Sequence, residues 1–152
     1  MKKPLFVLTL VAIAIVTVWK LRGHSVSVSV EDKLLQDRIW IDHMPRTDRD
    51  TINVFAALTE QPVGIFQAAS QWKGAYEIFR YESNGDEMRL VFPQTGDREK
   101  ITAKARRCSE RGMDYCLEVD GASRGVKRYY SRKGWEVGTQ QQLSTKLEEL
   151  TK

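Results

Sequence analysis

Two patterns of apolar residues divide this chain. Residues 4–19, PLFVLTLVAIAIVTVW, form an unbroken uncharged run, with Lys2 and Lys3 before it and Lys20 and Arg22 after it. Between residues 51 and 137 the pattern changes to short stretches of alternating apolar and polar positions, broken by turn-forming residues. The first pattern predicts a membrane-inserted helix and the second an antiparallel β-domain.

As a helix the N-terminal run would rise about 1.5 Å per residue, roughly 24 Å in all. That is short of the ~30 Å hydrocarbon core, but the flanking Lys and Arg can snorkel. Residues 1–23 therefore read as a signal anchor or signal peptide. No Ala-x-Ala closes the run, and Lys20 and Arg22 crowd the substitutes at residues 23–25 and 25–27, which favours a retained single-pass anchor over cleavage and secretion. Lys2 and Lys3, with the amino terminus, slightly outweigh Lys20 and Arg22. The expected orientation leaves the N-terminus in the cytosol and the domain outside it, in the periplasm if the cell is bacterial. Residues 24–37 read as a tether, SVSVSV at 25–30, and a short helix near 31–36 with Ser29 as its cap. Residues 38–152 are the exported domain.

Within that domain the alternation predicts strands at 51–58, 63–69 and 74–82, after an extended RIWID at 38–42 and a charged loop at 43–49. Asn84-Gly85 marks a tight hairpin. With those two residues as the loop, Ser83 faces Asp86, Tyr81 faces Met88 and Phe79 faces Leu90. One face is then apolar, while Glu82, Glu87, Arg80 and Arg89 occupy the other. A second hairpin joins 100–108 to 115–120. Setting Cys108 opposite Cys116 aligns Arg106 with Glu118, Lys104 with Asp120, and Ala105 with Val119. This register predicts a disulfide, as suits an exported protein with one cysteine pair. Short strands follow at 126–131 and 135–137. A helix from Thr139 sets Leu143, Leu147 and Leu150 on one stripe. The fold expected is mostly β: one antiparallel meander of about seven or eight strands, rolled into a small barrel or half-barrel to manage its edges, with a short C-terminal helix.

The net charge of +4 and pI of about 9.1 conceal a polarised chain. Residues 30–97 hold seven basic and twelve acidic side chains, and residues 98–133 hold eleven basic and five acidic. The strongest surface signal is the segment carrying Arg124, Lys127, Arg128, Tyr129, Tyr130, Arg132, Lys133 and Trp135. Cations interleaved with aromatics can grip single-stranded nucleic acid. For an exported domain the same segment suits an anionic lipid surface, a polyanionic glycan or an acidic protein partner. It also fits a strand with a charged outer face and aromatics in the core.

Catalytic chemistry has few residues to draw on. His43 lies near Asp42, Asp48 and Asp50, a composition more typical of a solvated loop than of a metal or acid–base site. No phosphate loop, zinc spacing or catalytic triad is present, and no cofactor is expected. The aromatics Trp40, Phe55, Phe66, Trp72, Tyr76, Phe79, Phe92 and Trp135 suffice to line an internal cavity or to fill it. Residues 71–77, QWKGAYE, resemble over a short stretch the opening strand of lipocalin-like barrels, which carry Gly-x-Trp; here Ser70 stands in place of that glycine. The resemblance carries no functional position across, and it implies a carrier of a small apolar ligand as one alternative. The reading that follows is a membrane-tethered, exported, non-catalytic binding module. A structural component of an envelope complex is the runner-up.

Overall fold

The computed structural model describes residues 32–47, 49–70 and 74–150. The apolar run, the tether, Asp48 and Trp72 lie outside the described residues. Among those described, no helix is long and apolar enough to cross a membrane.

A single turn of helix, α1 (Asp32–Leu35), leads into β1 (Trp40–Ile41). Seven strands follow: β2 (Ile52–Leu58), β3 (Val63–Ala69), β4 (Gly74–Asn84), β5 (Glu87–Val91), β6 (Arg98–Glu110), β7 (Met113–Asp120) and β8 (Arg128–Ser131). The C-terminal helix is α2 (Gln140–Leu150). Neighbours in sequence pair antiparallel throughout, and Ile41 of β1 pairs with Tyr130 of β8. The meander thus closes on itself in a ring of eight strands, leaving no long edge for another chain to pair with.

Alternation along the strands builds two apolar clusters. Phe55, Phe66, Phe79, Phe92 and Tyr129 point inward with Trp40, Tyr81, Met88, Leu90 and Leu117. Their rings stack and tilt at centroid distances of 5.2–6.4 Å, which fills the interior. Gly64 exists for this packing: a Cβ there would lie 2.3 Å from Phe79 Cζ and 2.5 Å from the Ala56 carbonyl oxygen. The buried phenols are tied down. Tyr81 donates to the Leu58 carbonyl at 2.9 Å, and Tyr129 accepts from the Val126 N–H at 2.9 Å. The second cluster sits outside the ring. It comprises Ile39, Ile41, Ile52, Val54, Ala56, Cys116, Tyr130, Trp135 and Val137, with Leu143 of α2 against them. β2 is therefore apolar on both faces, which explains its continuous INVFAAL run.

The helix α2 begins where a capping pair fixes it: Gln142 N–H donates to Thr139 Oγ1 at 3.2 Å, and the Gln142 side chain accepts from Gly138 N–H at 2.8 Å. Leu143 is buried, with Leu147 and Leu150 partly so, as the stripe predicts.

Three expectations need correction. The first hairpin pairs Asn84 with Glu87 and Tyr81 with Leu90, so Gly85 and Asp86 form the turn and Gly85 alone of these takes positive φ. The shift is two residues, which preserves the apolar face and sets Glu82 directly opposite Arg89. The second hairpin also shifts by two: Arg106 faces Cys116 and Lys104 faces Glu118, with a bulge between Arg107 and Glu110. Cys108 reaches Cys116 as a diagonal neighbour, with Cα atoms 5.7 Å apart, and the predicted disulfide is present. Residues 135–137 form no ring strand. They run as a strap along residues 37–39, held by Ile39 N–H to Trp135 O at 3.1 Å and Val137 N–H to Asp37 O at 2.9 Å.

Candidate functional site

The cationic, aromatic segment is divided by its own alternation. Tyr129 is fully buried in the inner cluster; Tyr130 and Trp135 are buried in the outer one. None presents a free face for stacking. Burial pushes the Tyr129 phenol up to about 12, partly opposed by the Val126 N–H. Lys127 and Lys133 are exposed. Arg132 is half-buried, with its guanidinium 5.9 Å from the Trp135 ring and its Nε without a hydrogen-bond partner.

Arg124 is fully engaged within the protein. Its guanidinium meets Glu77 at 2.5 Å, Asp97 at 2.7 Å and Glu99, and lies 3.7 Å from the Phe92 ring centroid. Its side chain is 16% exposed, so it acts as a lid over the aromatic interior. Donation by Arg124, then by Thr95, holds the Asp97 carboxyl below its ordinary value. Arg128 is partly engaged, bridging Glu118 at 2.7 Å and Glu110 at 3.6 Å. The hydrogen bond to Glu118 raises Arg128 and lowers Glu118.

A different set of residues converges outside the ring. The loop between β1 and β2 folds beside the β6–β7 turn and β8, leaving an open groove of about 1000 Å³. Its cations are Arg46, Arg111 and Arg128. Met44, Pro45, Met113, Val126 and Tyr130 supply an apolar share of the lining. Asp42 and Asp50 also line it, but their oxygens are occupied. Asp42 accepts from Asn53 N–H at 2.9 Å and Nδ2 at 2.7 Å, and lies 2.9 Å from His43 Nδ1. Asp50 accepts from Arg46 N–H at 2.8 Å and Thr47 Oγ1 at 3.0 Å, and these bonds hold its carboxyl below the ordinary value.

Arg46 and Arg111 are both exposed and have no ion pair among the described residues. Arg111 instead lies with its guanidinium 5.2 Å from the Tyr130 ring centroid. It also takes φ +53°, beside Gly112 at +72°, in the two-residue β6–β7 turn. Such a turn needs two left-handed residues and prefers Asn, Asp or Gly first. An arginine there costs about 1–2 kcal/mol of backbone strain. The disulfide holds the base of this same hairpin through Cys116, which pairs with Tyr130 across β7 and β8.

Of the residues singled out from sequence, Arg128, Tyr130, His43, Asp42 and Asp50 line this groove and Arg124 does not. Arg46, Arg111 and Met113 lie outside the 124–135 segment and are brought beside it only by the fold; the Arg-Gly pair in the 109–115 connection is the available signal. Cys108, Glu110 and Cys116 are grouped closely enough among the described residues to hold a metal ion, but the two sulfurs are joined to each other and are not thiolates. No protein-family model matches the chain, and no curated protein and no solved structure matches it either.

Proposed function

We propose that the chain is a membrane-tethered, exported, non-catalytic module that binds an anionic partner on its outer surface. One observation carries the reading: three arginines line a groove in which both carboxylates already accept hydrogen bonds from neighbouring groups, and two of the arginines have no acidic partner among the described residues. Unpartnered guanidinium in a concave, half-apolar setting is a binding feature rather than a stabilising one. The aromatic filling of the ring argues against an internal ligand and in favour of the outer surface. The disulfide suits an oxidising compartment, and the uncharged run at residues 4–19 would supply both export and tether.

The test uses the full chain in nanodiscs of zwitterionic lipid. Binding of anionic probes (phosphatidylglycerol vesicles, heparin, polyphosphate and acidic peptides) is measured at low and high salt. The expected result is saturable, salt-sensitive binding of at least one probe, weakened by Arg46→Ser. Indifference of every probe to the groove would overturn the binding reading. A reporter fused after Lys152 and found inside the cytosol would overturn export.

A further inference from the structure

Resting on that reading, we infer that the groove takes an acidic peptide segment whose carboxylates alternate with apolar side chains, and that Arg111 selects it. Three features of the lining narrow the anion. First, its cations are all arginine, whose planar fork pairs two-to-two with a carboxylate, whereas a compact ammonium acts as a point charge. Second, Met44, Pro45 and Val126 stand among them with apolar surface still open to solvent. A polyphosphate or sulfated glycan offers nothing to bury against those side chains; an acidic peptide with Leu, Val or Tyr between its carboxylates does. Third, the surface is concave. A planar array of headgroups would meet the rim of such a groove and leave its apolar lining uncovered, so a protruding chain suits it better than a bilayer.

Arg111 is the residue on which selection falls. It is exposed, without an acidic partner among the described residues, and carried on a left-handed backbone at a position that asparagine or glycine would occupy without strain. Its guanidinium lies 5.2 Å from the Tyr130 ring centroid, so one of its faces is already set against a buried ring. An ordered guanidinium loses less freedom on pairing than a mobile one. His43 lines the same groove from the β1–β2 loop.

The experiment measures binding of a fluorescent twelve-residue peptide of alternating Glu and Leu to the full chain in zwitterionic nanodiscs. Polyphosphate, heparin and phosphatidylglycerol vesicles are run in parallel. The peptide should bind most tightly. Arg111→Asn, which suits the left-handed turn and so should fold, should weaken it at least about tenfold, and Arg111→Lys should recover only part of the loss. A Gln–Leu peptide of the same length should not bind. Peptide binding that is unchanged by Arg111→Asn overturns the assignment of Arg111. Tighter binding of polyphosphate, heparin or vesicles, lost in Arg46→Ser, overturns the peptide inference while leaving the anionic groove standing. Failure of every probe overturns both.

Discussion

Arg124 and Arg111 are the same residue type in the same basic stretch of sequence, yet the fold puts them to opposite uses. Arg124 lies over Phe92 of the inner cluster and is held by Glu77, Asp97 and Glu99, contributed by β4, the β5–β6 connection and β6. Arg111 lies over Tyr130 of the outer cluster and is held by no carboxylate among the described residues. A guanidinium ringed by acids from three places in the chain is an internal fastener. One stacked on a ring and otherwise unpartnered is free to meet something else. Local charge density does not distinguish the two; the count of acidic partners brought in by the fold does.

Removing the fastener should have the largest effect. Arg124→Gln leaves three carboxylates facing each other above the aromatic interior, and is expected to cost about 3 kcal/mol in urea unfolding. Arg111→Gln should cost less than about 0.5 kcal/mol, as exposed positions do. Equal losses would erase the distinction.

The disulfide sharpens the comparison from the other side. Cys108 and Cys116 are eight residues apart, so Cys108→Ala with Cys116→Ala should cost about 2.5 kcal/mol through the freedom returned to the unfolded chain. The damage should be local. Amide hydrogen exchange should quicken in the β6–β7 hairpin that carries Arg111, while the amides around Asp97 and Arg124 stay protected.

The two arginines also show where sequence reasoning reaches its limit. Period-two alternation assigns each side chain a face, and those assignments held: Phe79, Tyr81, Met88 and Leu90 are all buried on one side. The same periodicity cannot distinguish registers two residues apart. Both hairpins shifted by two without changing any face, which is why the cysteine pairing was legible and the Arg106–Glu118 pairing was not. Glu118 turned instead to Arg128 on the next strand, and Arg106 to Glu110. Ring closure and the outer cluster depend on contacts far apart in sequence, such as Ile41 with Tyr130 and Trp135 with Ile39. The groove is assembled in the same way, from a loop near residue 45 and a turn near residue 111; the sequence marks Arg128 and Tyr130 and, separately, His43 with Asp42 and Asp50, but not that the two sets meet.

Acidification should separate the pair next. The Asp97 carboxyl is lowered chiefly by Arg124, so its contribution is present above the ordinary value of 3.8 and is lost as pH falls through the lower folded-state value. The melting temperature of the native chain should therefore fall more steeply below about pH 4 than that of Arg124→Gln, whereas Arg111→Asn should track the native curve. At the alkaline extreme the buried phenols act in the opposite sense. Tyr81 and Tyr129 are pushed up to about 12, chiefly by burial, from an ordinary 10. Their contribution is complete below pH 10 and lost as pH rises towards 12, a loss that Tyr129→Phe should reduce.

The smallest effect is the most discriminating, because its sign is unusual. An exposed arginine that only decorates a turn should be replaceable with no gain. Arg111 sits at φ +53°, where a Cβ and a long side chain are disfavoured, and Asn tolerates that conformation better. Arg111→Asn should therefore raise stability by about 0.5–1 kcal/mol, read as a higher urea midpoint with an unchanged slope. Arg111→Ala removes the same guanidinium but lacks the short polar side chain whose local hydrogen bond eases Asn into the left-handed conformation, so it should give no such gain. A gain in both variants would trace the native cost to crowding of the guanidinium against Tyr130. A gain in Asn alone would show that the native turn retains a strained arginine where a relaxed residue was available, as expected when the side chain serves binding rather than folding.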